Sequence, residues 1–314
     1  MAFTMHSHSG QFCPGHAKDD LETIIQHAIS IGYKTMGLTE HMPRTSIDDL
    51  YPEELLPTPQ ETLNSLSPRH TSFLSHAAHL QSKCSSQIHI LIGFESEWLR
   101  PAEYTPLIHS LTSDPRVDYF IGSLHHVSSI PIDYDKAMYA SAITACGETE
   151  RGLWSRYYDE QFEMVKALQP KIVGHFDLIR LMSENPGRDV KREWPEVWEK
   201  MVRNLMEVRR YGGWLECNTS ALRKGLEEPY PGRGVAKEWV GMGGRFTFSD
   251  DSHGVAQVAT CYARGLEYLE GLGVSEVWTW ERVGGGEGVK AELKEKGVGI
   301  GEFRGSLRLD GGHV

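Results

Sequence analysis

A β/α barrel is the fold that this 314-residue chain predicts, and three observations point to it. Short apolar runs alternate with amphipathic stretches along most of the sequence, the pattern of parallel strands joined by right-handed crossovers. Seven such runs are present, with a possible eighth at Val277–Trp280; that is enough to close a barrel, and an open doubly wound sheet is the alternative. Six of the seven end in a histidine or a carboxylate. In a parallel arrangement those ends share one side of the sheet, the side where β/α barrels keep their chemistry.

The first strand candidate, Ala2–His8, ends in His6-Ser7-His8, and alternation along a strand points residues i and i+2 to one face. A helix over Asp19–Gly32 follows, with Ile24, Ile25, Ala28 and Ile29 on one side, Asp19 or Asp20 as its cap and Gly32 at its close. The second strand, Thr35–His41, ends in Thr39-Glu40-His41. Segment Pro43–Pro68 reads as a long loop over one barrel end, and a helix of about Pro68–Lys83 comes next. The third strand, Ile88–Glu97, carries Glu95 and Glu97 on one face, and the fourth, Asp118–His125, ends in Gly122-Ser123-Leu124-His125.

After a helix over Glu150–Leu168, the fifth strand, Lys171–His175, runs into Gly174-His175-Phe176-Asp177. A helix over Trp194–Tyr211 leads to the sixth strand, Trp214–Asn218, which supplies no metal ligand and continues into Asn218-Thr219-Ser220-Ala221-Leu222-Arg223. The seventh, Arg245–Asp251, ends in Asp250-Asp251-Ser252-His253, before an amphipathic stretch over Gly254–Leu272. Residues 1–283 are expected to form the catalytic barrel, and 284–314, Gly-rich and charged, a last helix and loose tail of the same domain.

Composition narrows the function. Hydrophobic residues at 39% and charged residues at 24% describe a soluble globular protein. No run of 18 apolar residues is present, so no membrane partner is expected, and the N-terminus has no basic-then-apolar secretory pattern. Five cysteines without a C-x-x-C pair fit a reducing compartment, the cytoplasm, and argue against disulfides or a Cys-based zinc site. A net charge of −11 works against a nucleic-acid polymer as partner. The turn after the first strand, His6-Ser7-His8-Ser9-Gly10, is neither a dinucleotide fingerprint nor a P-loop.

Imidazoles and carboxylates in this number are ligands for Zn, Mn or Fe, and they exceed what one ion can use, so two to three divalent metal ions are expected. Closely spaced metals suit hydrolysis of a phosphate ester.

These residues resemble the motifs of the polymerase-and-histidinol-phosphatase (PHP) family, from His6 to about His253: H-x-H at His6 and His8, C-x-G-H at Cys13–His16, Thr39-Glu40-His41, Glu95, Gly122–His125, Gly174–Asp177 and Asp251-Ser252-His253. The resemblance implies a distorted seven-stranded, TIM-like β/α barrel around a trinuclear metal centre. Its ligands would be His6, His8, His16, His41, Glu95, His125, His175, Asp251 and His253, with Glu95 as the bridge. Asp250 could stand in for Asp251, and Glu97 for Glu95.

The stretch Asn218–Arg223 is similar to the histidinol-phosphatase branch. It implies hydrolysis of L-histidinol phosphate, a small phosphate ester, to L-histidinol and phosphate in histidine biosynthesis, with His175, Asp251 and Arg223 as catalytic residues. Arg223, and Arg180 as a second candidate, would hold the phosphate, because a guanidinium bonds two of its oxygens at once. A phosphoesterase for small nucleotides or other monoesters is the alternative. The substrate's imidazole and amine are expected to meet acidic or aromatic groups of the Met42–Pro59 loop or near Glu97. Cys217 and Arg223 also satisfy C-x5-R, but Glu216 before the thiol and the absence of glycine between them argue against a cysteine nucleophile.

Overall fold

The computed structural model describes residues 1–55, 58–285 and 288–308. Seven strands form one parallel sheet in sequential order: β1 (Ala2–Thr4), β2 (Tyr33–Leu38), β3 (His89–Glu95), β4 (Tyr119–Gly122), β5 (Ile172–Val173), β6 (Trp214–Asn218) and β7 (Arg245–Ser249). The sheet curls until its edges meet. Met5 N donates to Phe248 O at 3.2 Å and His8 N to Ser252 O at 2.8 Å, so the barrel is nearly closed and the doubly wound alternative is excluded.

Six of the seven strands stop short of the length expected from sequence on at least one side, and Trp214–Asn218 has the bounds expected. Past the regular ladder, side chains take over the backbone donors: Thr39 Oγ1 accepts from Ser7 N at 3.0 Å, and Glu40 Oε1 from Ser9 N at 2.9 Å. This irregular collar frees His6, His8 and His41 to turn inward. Lower in the barrel the fit is tight: a Cβ on Gly37 would lie 2.0 Å from the Tyr119 hydroxyl, which donates across the lumen to Met5 O at 2.6 Å.

The helices follow the expected order. Leu21–Ser30 is capped by Asp20, whose carboxylate accepts from Thr23 N, and it buries Leu21, Ile24, Ile25 and Ala28. Glu150–Leu168 and Pro195–Arg210 lie where the apolar spacing puts them. Two expectations need correction. The helix thought to begin at Pro68 starts at Pro59 and takes Pro68 inside; burial of Leu66, His70, Phe73, Leu74, Ala77 and Leu80 along it offsets the lost hydrogen bond.

Val277–Trp280 does not add an eighth barrel strand. It lies in β8 (Glu276–Val283), which pairs antiparallel with β9 (Glu292–Gly299) in a separate hairpin. That hairpin covers the N-terminal ends of the strands, where Trp280 stacks on Trp214 with centroids 4.7 Å apart and lies 5.1 Å from Tyr119. The expected last helix is present as Ile300–Ser306, after a strand that the Gly-rich composition concealed. Its Phe303 packs edge-on to Phe3 and Phe248, with centroids 5.1 and 5.3 Å away. The tail from residue 309 lies outside the described residues.

Candidate metal centre

Glu95, the last residue of β3, stands at the focus of the opposite end. Its Oε2 lies 3.2 Å from His6 Nε2, 3.4 Å from His8 Nε2 and 3.1 Å from His41 Nδ1. Its Oε1 lies 3.1 Å from His125 Nε2 and 2.9 Å from His175 Nε2. Five imidazoles from four strand ends therefore share one carboxylate, divided between its two oxygens. Asp251 Oδ1 adds a second carboxylate, 3.6 Å from His6 Nε2 and 3.5 Å from His8 Nε2.

Hydrogen bonding among these groups does not account for the arrangement. His6 Nε2, both nitrogens of His8 and His41, and His253 Nε2 are buried with no hydrogen-bond partner among the described residues. Leaving such atoms unmet costs roughly 1–3 kcal/mol each. His125 Nε2 and His175 Nε2 sit 3.2 Å apart while both face Glu95 Oε1. Shared cations explain what protons cannot.

Three sets of ligand atoms are close enough to hold one ion each: His8, His41 and His253; His6, His8 and Asp251; Glu95, His125 and His175. Eight of the nine expected ligands fall in these sets. The ninth, His16, stands at the rim, its ring 4.6 Å from that of His253 and its Nδ1 3.1 Å from Glu53.

The electrostatics agree. Burial works against ionised carboxylates here, yet His6 and His125 outweigh it at Glu95, and His6 and His8 at Asp251, holding both well below their ordinary range. Burial, helped by neighbouring imidazoles, lowers His8, His41 and His253 and keeps them neutral. Burial opposes charge on His6 as well, but Glu95, Glu216 and Asp251 prevail and raise it. The carboxylates thus demand positive charge where the imidazole nitrogens converge. Ionised acids and neutral imidazoles are the ligating forms.

Asp251, not Asp250, faces the cluster. The Asp250 carboxylate accepts from Ala259 N at 2.6 Å and the Tyr33 hydroxyl at 3.0 Å, and it belongs to none of the sets above. Asp251 turns inward with a left-handed φ of +48°. Glu97 does not substitute for Glu95: it accepts from His125 Nδ1 at 3.0 Å and from the Tyr51 hydroxyl at 3.2 Å.

The family-model comparison matches the PHP domain over residues 4–220. This chain belongs to the PHP family. It is 38% identical to the Schizosaccharomyces pombe protein named "Probable histidinol-phosphatase", over 92% of each chain. It is 34% identical to the histidinol-phosphatase of Saccharomyces cerevisiae, over 84% of this chain and 87% of that one. A solved structure of histidinol phosphate phosphatase from Lactococcus lactis, complexed with Zn, L-histidinol and phosphate, is similar in fold. Its TM-score is 0.66 at 18% identity, covering 93% of this chain and 98% of that chain.

Within this PHP site two expected residues are engaged elsewhere. Arg223 donates to the carbonyls of Asp250 and Asp251 at 2.8 and 2.9 Å, so its fork grips backbone rather than the cavity. Arg180 is buried behind Tyr230, pairs with Asp177 at 3.1 Å and donates to Glu228 O at 2.9 Å; neither arginine lines the cavity over the cluster. That cavity, about 260 Å³, has Tyr51, Asp133, Tyr134, Leu178 and Lys224 in its walls. Cys217 is fully buried, and burial together with Glu216 pushes its thiol well up, which disposes of the cysteine reading.

Sequence reasoning weighed Glu216 only against Cys217 and gave it no place behind the metal ligands. It accepts from His6 Nδ1 at 2.8 Å and from His175 N at 2.9 Å, and so turns His6 Nε2 toward the cluster. The available signal was its placement two residues before the end of β6, on the face shared with Asn218.

Proposed function

We propose that this chain hydrolyses L-histidinol phosphate to L-histidinol and phosphate, the phosphatase step of histidine biosynthesis in the cytoplasm, with two to three divalent ions of Zn, Mn or Fe. The observation that carries the metal chemistry is the convergence of five imidazoles on the two oxygens of Glu95. The substrate is supported by relatives named for this activity across most of their length. A cavity of about 260 Å³ favours a small ester over a polymer.

His6, His8, His41, Glu95, His125, His175, Asp251 and His253 would hold the ions, with His16 closing the rim. Bound there, such ions supply Lewis acidity to the phosphoryl oxygens and a water of lowered pKa. The chain's own contribution is orientation. Glu95 would offer its two oxygens to the ions, and Glu216 and Glu97 accept from the Nδ1 atoms of His6 and His125 so that each Nε2 faces inward. Arg223 acts as a positioning residue, anchoring the carbonyls that set the turn at Asp251. No side chain is needed as nucleophile, and no phosphoenzyme forms. Packing of Phe303 on Phe3 supports treating the C-terminal segment as part of the barrel domain.

The test is phosphate release from L-histidinol phosphate beside a panel of phosphomonoesters and nucleotides, with metal content measured on the same sample. The expected outcome is preference for L-histidinol phosphate, abolished by a chelator and restored by Mn or Zn. Preference for nucleotides would move the activity to the small-nucleotide alternative.

A further inference from the structure

Among the described residues, two charged groups that line the cavity, Asp133 and Lys224, have side-chain atoms without a partner. Asp133 follows the short ladder of His126–Val127 with Ile130–Pro131, and its Oδ1 is buried without a hydrogen bond among the described residues. It belongs to none of the three candidate ion sets. Lys224, just past the single helical turn Ser220–Arg223, borders the same cavity, and its ammonium makes no hydrogen bond or ion pair with the described residues. The two do not pair with each other. The field of Lys224 is felt at Asp251 and His253, and that of Asp133 at Tyr51, Tyr157 and Tyr230, so they serve different flanks.

An acid and a base left unspent in one small cavity suit a ligand that carries both charges. We propose that Asp133 receives the ammonium of an amino-alkyl phosphate and Lys224 an oxygen of its phosphate, so that this pair selects amine-bearing monoesters over amine-free ones. The proposal rests on the phosphatase reading above and refines it. Asp133 lies on neither the Met42–Pro59 loop nor the strand of Glu97, where recognition was expected. Among the described residues of that loop, Tyr51 lines the cavity, but its hydroxyl is engaged with Glu97.

The experiment compares the metal-loaded wild type with Asp133→Asn on L-histidinol phosphate and on its desamino analogue, 3-(imidazol-4-yl)propyl phosphate. Asp133→Asn is expected to lower kcat/KM for the amine-bearing substrate about tenfold to a hundredfold, mainly through KM, and to leave the analogue within about twofold. Asp133→Glu should retain part of the preference. Lys224→Gln should weaken both substrates alike, and Lys224→Arg should recover them. Equal loss on both substrates in Asp133→Asn, or no loss on either, overturns the assignment.

A wild type that ignores L-histidinol phosphate would defeat the substrate reading alone. The same variant is then compared on O-phosphoethanolamine and ethyl phosphate. A collapsed amine preference supports the role of Asp133, and an unchanged one overturns it.

Discussion

The two ends of the barrel are made by the same seven strands and are built on opposite principles. At the N-terminal end the hairpin of β8 and β9 meets the barrel through paired charges and stacked rings. Arg282 pairs with Asp118 at 3.0 Å, Glu295 pairs with Arg245 and with Lys171, and Trp280 lies on Trp214. At the C-terminal end buried nitrogens of His6, His8 and His41 crowd around Glu95 with no hydrogen-bond partner among the described residues. One end gains stability from complementarity. The other gathers imidazoles and carboxylates whose buried nitrogens lack hydrogen-bond partners among the described residues, a demand that divalent ions would meet.

The sharpest way to break the contrast is Glu95→Gln. It should lower metal content and reduce phosphatase activity more than a hundredfold, since a bridging ligand matters more than the groups behind it. Thermal stability measured in chelator should fall only modestly, because His6 and His125 lose the carboxylate that favours their charge. A large fall in chelator would mean that Glu95 serves the fold instead.

Trp280→Ala addresses the other end. Loss of a buried Trp from the plug should cost about 3–5 kcal/mol by denaturant titration. Metal stoichiometry and activity per folded molecule at low temperature should be unchanged. Coupled loss of metal would show that the two ends are not independent.

Glu216→Gln tests the orientation of His6 from behind. A weaker acceptor at Nδ1 should reduce metal affinity or activity by about tenfold to a hundredfold, with the fold retained, read by metal titration and circular dichroism. The smallest effect belongs to Arg245→Ala. This half-exposed side chain pairs with Glu295 at 2.6 Å and lies over the Trp278 ring, so about 1 kcal/mol or less is expected, diminishing with salt.

Much of the functional end was legible because strand ends are local. Histidine and carboxylate types recur at the close of successive apolar runs, and alternation alone puts His6 with His8 on one face. The plug was not legible. Val277–Trp280 has the apolar content of a barrel strand, and only its antiparallel pairing with a Gly- and charge-rich segment reveals a hairpin. The helix start at Pro59 was missed for a related reason: a proline reads as a boundary unless buried contacts further along hold the turn.

By itself the sequence determined the alternation of strands and helices, the side of the sheet that carries the chemistry, and the residue types fit for divalent ions. These follow from backbone periodicity and ligand chemistry, which act over a few residues. Tertiary structure alone decided which acid of Asp250 and Asp251 turns inward, that Glu216 stands behind His6, and that Arg223 and Arg180 are spent on backbone carbonyls while the Lys224 ammonium and Asp133 Oδ1 find no partner among the described residues. The reason is that a side chain's availability depends on every partner within reach, and those partners come from strands and loops far apart in the chain.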